Sequence, residues 1–241
     1  MTPADHVEAV ERELAALHDA VAANEMTAAV PTCDGWAVLD LATHVSQFCG
    51  FWAHVLCEGT GRGKADLAEP AGPDAVADWL KAAGDHLVGE LRATPPQTPV
   101  WTWYEPDQTA AFVARRAAHE LAVHRYDAQS ARGSAEPIDA PLAADGIDEL
   151  VGPLLLTRPR TGLATGQTIH VHGTDVDGAE WLLTLLPDAI DVLESHAKGD
   201  LALRGAVSDL ELLLYGRPPL GEVERLGDPA ALDAWYREFR F

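Results

Sequence analysis

The chain opens with apolar residues spaced like one face of an α-helix. Within residues 3–22 this face is formed by Val7, Val10, Leu14, Leu17 and Val21. A spacing of three and four positions is typical of an amphipathic helix. Thr2, Pro3 and Asp5 add a capping residue, a proline at the first helical position and an acid in the first turn. The pattern therefore predicts a helix over residues 3–22.

Three more segments show helical spacing, and stretches rich in glycine or proline separate them. Apolar and aromatic residues over 37–57 predict a second, largely buried helix, and two more helices are predicted over 75–92 and 109–131. The stretches EGTGRGKADLAEPAGPD and TPPQTPVWTWYEPDQ predict the loops between them. A shorter helix is expected over residues 142–156.

The periodicity changes from helical to alternating at Thr168. TIHVHGTD and EWLLTLLP predict two strands around the turn DVDG, IDVLES predicts a third, and LALRGAVSDLELLLYGR predicts a strand that runs into a helix. This order of elements predicts an α+β fold, with an N-terminal four-helix bundle followed by a small C-terminal α+β domain. We place the two domains at residues 1–157 and 158–241.

Charge and hydropathy narrow the classes of partner. With 38 acidic and 17 basic residues the formal net charge is −21, and no basic tract offsets it locally. Such a charge repels nucleic acid and anionic membrane surfaces. No apolar run approaches the roughly 18 residues of a membrane span, and the N-terminus lacks the layout of a signal peptide. We expect a cytoplasmic protein, monomeric or homodimeric, that acts on a small molecule.

The cysteines agree with that compartment. Cys33, Cys49 and Cys57 are odd in number and lie in one early segment, which fits no disulfide framework. They form no CxxC pair, so a zinc site made of thiolates is not favoured either. We expect three reduced cysteines that serve as small buried residues.

The stretch AAHELAVHRYDA, residues 117–128, carries the main candidate chemistry. Glu120 and His124 are four apart, so on a helix their side chains lie on one face, one turn apart. His44 lies in the middle of the second predicted helix among apolar neighbours, where an unpaired imidazole is costly. A glutamate and a histidine on one helix, with a histidine from a facing helix, form a three-ligand set suited to Zn²⁺ with one open position.

Spacing alone leaves a second interpretation open for these residues. A glutamate and a histidine four apart are common on solvated helix faces, and a histidine in mid-helix is more often a hydrogen-bonded core residue than a ligand. His170 and His172 raise a similar question, because they alternate on one strand face. They suggest a second metal site, but no nearby acid or cysteine in the sequence completes it.

Four stretches that span the whole chain resemble the mycothiol-dependent maleylpyruvate isomerase family: VPTCDGWAVLDLATHV, RRAAHELAVHRYDA, HGTDVDGAEW and LALRGAVSDLELLLYGR. The resemblance implies a DinB-like four-helix bundle that binds a divalent metal, followed by a domain like the sterol carrier proteins. In that family a histidine of the second helix and a Glu-xxx-His pair of the fourth hold the metal. This implies His44, Glu120 and His124 as ligands here. Asp34 and Ala37 depart from the residues common at their positions, and neither is a ligand position.

The resemblance also implies a metal-dependent enzyme whose cofactors are a divalent metal, Zn²⁺ by preference, and mycothiol or a related thiol. A metal-stabilised thiolate adds to the double bond of maleylpyruvate, and rotation followed by elimination gives the trans isomer. The same thiolate suits a thiol S-transferase that attacks another electrophile. Two other classes stay open, namely a metal hydrolase with an activated water and a non-catalytic binding protein on the same fold.

An anionic substrate needs cations near the metal, since the chain as a whole is acidic. Arg217, in LLLYGRPP, is our preferred catalytic arginine because the family has an arginine in this segment, and Arg204 is the next candidate. The alternative for Arg217 is a surface or helix-terminal charge. Arg116 and Arg125 lie close to the metal ligands in the sequence, and we expect local carboxylates to engage them.

Overall fold

The computed structural model describes residues 1–62, 70, 72–156 and 161–239. By its contacts the chain falls into two units, Met1–Glu136 and Pro137–Phe241. The first unit is helical and the second contains a sheet with helices, so the predicted α+β fold is confirmed. The predicted boundary between residues 157 and 158, and part of the loop predicted over 58–74, lie outside the described residues. The division into domains 1–157 and 158–241 stays a prediction.

Four long helices form the first unit, as the sequence predicts: α1 (Pro3–Ala22), α2 (Val38–Glu58), α3 (Val76–Ala93) and α4 (Ala110–Ser130). A short 3₁₀ helix, Pro73–Ala75, precedes α3. Helices α1 and α2 each pack against both α3 and α4. Their apolar faces meet in a core whose buried leucines include Leu17, Leu41, Leu80, Leu87 and Leu121. The bundle thus places α2 next to α4, the two helices that carry the candidate ligands.

The first two helices begin in different ways. The Thr2 hydroxyl accepts a hydrogen bond from the Asp5 amide at 3.2 Å, and the Asp5 carboxylate accepts one from the Thr2 amide at 2.7 Å. Helix α1 therefore has a complete capping box. At the start of α2, Ala37 has no side-chain acceptor, and only the Asp40 carboxylate contributes, by accepting from the Ala37 amide at 2.8 Å.

The second unit contains a five-stranded sheet with the strand order β3-β2-β1-β4-β5. The strands are β1 (Thr168–Gly173), β2 (Glu180–Leu185), β3 (Ile190–Leu193), β4 (Leu201–Gly205) and β5 (Glu224–Gly227). Strands β1 and β4 are parallel, and the other neighbouring pairs are antiparallel. The helices are α5 (Ala140–Glu149), α6 (Val207–Leu214) and α7 (Ala230–Glu238).

Two elements of this unit are not predicted by the sequence pattern. Strand β5 has four exposed residues, so it lacks the alternation that reveals a half-buried strand. Helix α7 is short and follows it directly. The helix predicted over 142–156 is α5, which begins at Ala140 and continues into a π-helical segment, Leu150–Leu154. Among the described residues, no helix combines the length and apolar character needed to cross a membrane.

The register of the β1–β2 hairpin sets which side chains share a face of the sheet. His172 lies directly opposite Glu180, and His170 lies opposite Leu182. Residues paired in this way point to the same side of an antiparallel sheet, as do residues two apart on one strand. His170, His172 and Glu180 therefore project from one face.

Candidate metal centre

Three side chains of the first unit converge where α2 meets α4. The His44 Nε2 lies 3.0 Å from the Glu120 Oε1, and the His124 Nε2 lies 3.4 Å from the same oxygen. One donor atom from each residue lies within 4.8 Å of the others. We call His44, Glu120 and His124 the bundle cluster. The helical spacing of Glu120 and His124 thus puts both side chains at one point, where His44 meets them from the facing helix.

These distances fit a metal ion. With zinc bonds of about 2.0–2.1 Å, two ligand atoms in a tetrahedral site are about 3.4 Å apart. The two measured separations in the bundle cluster are close to that value, so small side-chain movements suffice to place three donors around one ion. Two imidazoles and one carboxylate form a donor set that suits zinc. The assignment of these residues as ligands stays a prediction.

Asp127 orients His124 from behind. Its side chain is fully buried, and its Oδ2 lies 2.9 Å from the His124 Nδ1. An ionised carboxylate only accepts hydrogen bonds, so the Nδ1 carries the hydrogen and the Nε2 faces Glu120 and His44. The Cys33 thiol donates to the same Asp127 oxygen at 3.4 Å. This is the arrangement in which an outer carboxylate fixes the ring of a metal-binding histidine.

Arg116 occupies the other side of Glu120. Its Nη2 donates to the Glu120 Oε2, one turn apart on α4, which leaves the Oε1 facing the histidines. Burial raises the pKa of Glu120, but the charge of Arg116 and hydrogen bonds from His124 and His44 outweigh it and hold that pKa well below its usual range. Glu120 is therefore a carboxylate. Arg116 is engaged locally, as the sequence predicts.

His124 is a cation when no metal is bound. Burial disfavours the charged imidazole, but the hydrogen bonds and charges of Asp127 and Glu120 raise the pKa of His124 to about 9. With Asp127 at the Nδ1, the second hydrogen of the cation is on the Nε2, which faces Glu120. A metal ion bound here would displace that hydrogen, as metal binding generally does at histidine sites.

Trp36 covers the bundle cluster and was not among the predicted site residues. Its ring stacks on that of His124, with centroids 6.3 Å apart, and lies 5.3 Å from that of His44. The preceding turn is closed by hydrogen bonds from the Val30 amide to the Trp36 carbonyl and from the Trp36 amide to the Cys33 carbonyl. The turn VPTCDGW is therefore the sequence feature that places Trp36 beside the bundle cluster. It lies before α2, so the spacing of residues along the helices does not reveal it.

The remaining residues near the cluster have local roles. Arg125 is buried, and its guanidinium donates to the Glu13 carboxylate at 2.9 Å and to Gln129 at 2.8 Å. Burial, with the charge of Glu120, raises the pKa of Cys49, so this cysteine stays a neutral thiol. The expectation of three buried cysteines holds for Cys49, only in part for the half-buried Cys33, and is wrong for Cys57, which is exposed at the end of α2.

The two candidate catalytic arginines lie in the second unit. Arg217, just after α6, is buried, and its Nη1 donates to the Tyr215 carbonyl at 2.9 Å. Arg204, on β4, is about half exposed and pairs with Glu224 at 3.1 Å. Arg204 is thus engaged at the surface, whereas Arg217 is held inside its unit. The catalytic role of either residue stays a prediction.

Comparison with known proteins adds the family. A family model described as the mycothiol maleylpyruvate isomerase N-terminal domain matches residues 7–129. Crystal structures of a mycothiol-dependent maleylpyruvate isomerase and of its histidine-to-alanine mutant each show 13% identity, cover 93% of both chains and give a TM-score of 0.65. At this identity the likeness shows the fold. No curated protein matches the sequence. Because the family model covers just over half of the chain and includes all three residues of the bundle cluster, the chain belongs to the mycothiol maleylpyruvate isomerase family.

Proposed function

We propose that the protein is a metal-dependent enzyme that uses mycothiol, or a related thiol, to attack an electrophilic small molecule, with maleylpyruvate as the first candidate. The observation that carries the proposal is the convergence of His44, Glu120 and His124 in a chain of this family. Both similar crystal structures are described as a mycothiol-dependent maleylpyruvate isomerase, which supports the choice of thiol and substrate.

In this proposal the three residues of the bundle cluster hold one divalent metal ion, zinc by preference. When bound, such an ion lowers the pKa of a thiol, so that a thiolate nucleophile exists at neutral pH. Asp127 fixes the His124 ring, and Arg116 engages the Oε2 of Glu120, which leaves the Oε1 facing the two histidines. Three protein ligands leave one position open for a small molecule, which is the arrangement of catalytic rather than structural zinc sites.

The proposed reaction needs no oxidant or reductant. A bound thiolate would add to one carbon of the carbon–carbon double bond, and the π electrons of that double bond would move into the conjugated carbonyl. The former double bond would then be single and could rotate. Return of the electrons would re-form the double bond in the trans geometry and release the thiolate.

The enolate and the substrate carboxylates need a cation. We propose that Arg217 supplies it. Arg217 already has an ordered, buried environment, and buried arginines bind carboxylates through two parallel hydrogen bonds. Arg204 is the weaker candidate, because Glu224 already pairs with it at the surface.

The direct test is to incubate the zinc-loaded protein with maleylpyruvate and to follow the cis-to-trans conversion with and without mycothiol. Conversion that requires the thiol supports the proposal. Hydrolysis of the substrate without any thiol supports the hydrolase instead, and consumption of thiol without isomerisation supports the S-transferase. A chain that binds zinc and mycothiol but turns over none of a panel of electrophiles is a binding protein.

A matched pair of variants of helix α2 links activity to the cluster. We expect His44→Ala to abolish activity, because it removes a proposed ligand. His54→Ala serves as the control, since His54 lies on the same helix but contacts the Arg62 carbonyl instead. Equal activity of the two variants contradicts the proposed site.

A further inference from the structure

A second group of potential metal ligands lies entirely within the second unit. His170 and His172 come from β1, Glu180 from β2, and His196 from the segment that follows β3. We call these four residues the sheet cluster. The sequence shows the two strand histidines, but it does not show the acid. The hairpin register supplies it by placing Glu180 opposite His172.

The three imidazoles surround one carboxylate. The His172 Nδ1 lies 2.6 Å from the Glu180 Oε1, and the His196 Nδ1 lies 3.0 Å from the Glu180 Oε2. The His170 Nε2 is farther away, 3.8 Å from the same Oε2. The ring centroids are 5.2 to 6.1 Å apart, and the rings are inclined to one another by 75° to 90°. The rings therefore point from different directions toward one centre.

Ion pairs between the histidines and Glu180 do not account for His170. It is 6% exposed, and among the described residues its buried Nε2 has no hydrogen-bond partner, because Glu180 Oε2 lies 3.8 Å away. Buried polar atoms are almost always paired, so an orphaned nitrogen that points at a carboxylate and two imidazoles indicates a missing partner. A single carboxylate also balances the charge of only one imidazolium, whereas three histidines face this one.

The donor atoms lie close enough to share one ion. One atom from each of the four residues lies within 4.8 Å of the others. Three nitrogens and one oxygen suit a first-row transition metal and not Mg²⁺ or Ca²⁺, which take oxygen ligands. Two of the four residues, His170 and His196, also line a groove of about 430 Å³.

We propose that the sheet cluster binds one divalent transition metal ion, with Zn²⁺ as the probe, at a site separate from the bundle cluster. All four positions of a tetrahedral ion are filled by protein, which is typical of structural zinc. The ion would therefore tie His196, whose side chain is 78% exposed, to the face of the sheet.

The test measures bound zinc per chain in full-length protein that has been stripped with a chelator and dialysed against zinc chloride. To isolate the sheet cluster, the starting protein is the His44→Ala, His124→Ala double variant. We expect this variant to retain about one zinc, and addition of His172→Ala or of His196→Ala to remove it. If His172→Ala fails to fold, His196→Ala still provides the test, because His196 is exposed and its replacement should leave the fold intact. His86→Ala, an exposed histidine of α3, is the matched control and should change nothing.

Thermal unfolding provides an independent readout. At zinc concentrations about 100-fold above its Kd, the double variant should melt several degrees higher than without zinc, and the His196→Ala version should not. The proposal is overturned if the double variant binds no zinc, or if its zinc and its thermal shift survive both His172→Ala and His196→Ala. These outcomes do not depend on catalysis. Failure of the proposed enzyme activity therefore leaves the test intact.

Discussion

The bundle cluster and the sheet cluster use the same side chains but are built in different ways. In the bundle, two of three candidate ligands come from one helix at a spacing of four, and the third comes from the adjacent helix. In the sheet, the four residues come from two strands and a connecting segment. The first arrangement can be predicted largely from the local sequence. The second can be predicted only when the register of the hairpin is known.

The surroundings of the two clusters differ as well. Behind the bundle cluster, Asp127 and Arg116 hold His124 and Glu120, and Trp36 covers two rings. In the sheet cluster the carboxylate itself contacts the histidines, and all four residues point at one centre. Three supported donors suit an ion that still accepts a substrate, whereas four donors suit an ion that holds structure.

The strongest way to break this comparison is to remove a proposed ligand of the bundle cluster. We expect Glu120→Ala and His124→Ala each to lower thiol-dependent activity by more than about 100-fold. Loss of a residue that only hydrogen-bonds to a ligand typically costs less, about 10- to 100-fold. Zinc bound at the sheet cluster should be unaffected. Activity assays check the loss of activity, and elemental analysis checks the zinc bound at the sheet cluster. Retained activity in either variant would contradict the assignment of roles to the two clusters.

A second prediction asks whether the sheet-containing unit contributes to catalysis through an arginine. Arg217→Ala should lower kcat/KM by on the order of 10², as expected for loss of a charged hydrogen bond in a site with little water. Arg204→Ala tests the second candidate and should have the smaller effect, because Glu224 already pairs with Arg204 at the surface. Unfolding curves must show that both variants fold. An equal loss in the two variants would argue against a specific role of Arg217.

The support behind His124 gives a third, smaller effect. Asp127→Asn keeps the shape of the side chain but removes the charge that orients the ring, so zinc affinity at the bundle cluster should fall about 10- to 100-fold. Competition with a fluorescent zinc chelator measures this. Affinity at the sheet cluster should not change, and an unchanged affinity at the bundle cluster would mean that Asp127 has no part in it.

A fourth prediction concerns the pH dependence of the second unit. The Glu238 carboxylate accepts hydrogen bonds from the amides of Leu163 at 2.7 Å and Ala164 at 2.6 Å. Burial raises its pKa, but bonds from Thr161, Ala164 and Leu163 outweigh it and lower the pKa below 4.5. The stabilisation is thus present above about pH 4.5 and is lost as the pH falls through the lower folded pKa.

We therefore expect Glu238→Gln to destabilise the second unit by about 1–2 kcal/mol at pH 7 and by less in acid. Urea unfolding of both proteins at pH 7 and near pH 3 measures the difference. A destabilisation that is the same at both pH values would show that the charge of Glu238 is not involved. Zinc content of the bundle cluster serves as the internal control.

The smallest predicted effect is a gain in the stability of helix α2. Ala37 begins α2 without a side-chain acceptor, although Asp40 already accepts from its amide. Ala37→Ser completes a capping box and should stabilise the helix that carries His44 by about 0.5–1 kcal/mol. Zinc content and activity should stay unchanged. A variant of equal or lower stability would show that the start of α2 does not tolerate the new hydroxyl.

The helical half of the molecule was accessible from the sequence because its signals are local. The period of apolar residues and the cap at Thr2 predict α1 with its observed bounds, Pro3–Ala22. The same geometry places Glu120 and His124 on one face. Asp127 lies three residues beyond His124, but its role depends on which ring nitrogen turns toward it. Spacing does not give that information.

The sheet half was only partly accessible because its decisive contacts are not local. Alternation predicts β1 and β2, and it places His170 and His172 on one face. It does not give the register that brings Glu180 opposite His172, nor the path that returns His196 to the same face. Strand β5 escapes notice because all four of its residues are exposed.

The pair formed by Arg116 and Glu120 also sets the balance of charge at the bundle cluster. Arg116 cancels one of the two carboxylates, Glu120 and Asp127, that lie around His124. A divalent ion bound to that set would leave one net positive charge, inside a chain whose overall charge is −21. A monoanion such as a thiolate would then bring the proposed centre to neutrality, whereas a neutral thiol would leave a buried charge unbalanced. Arg116→Gln should therefore weaken the preference for the anionic form of the thiol without removing a ligand.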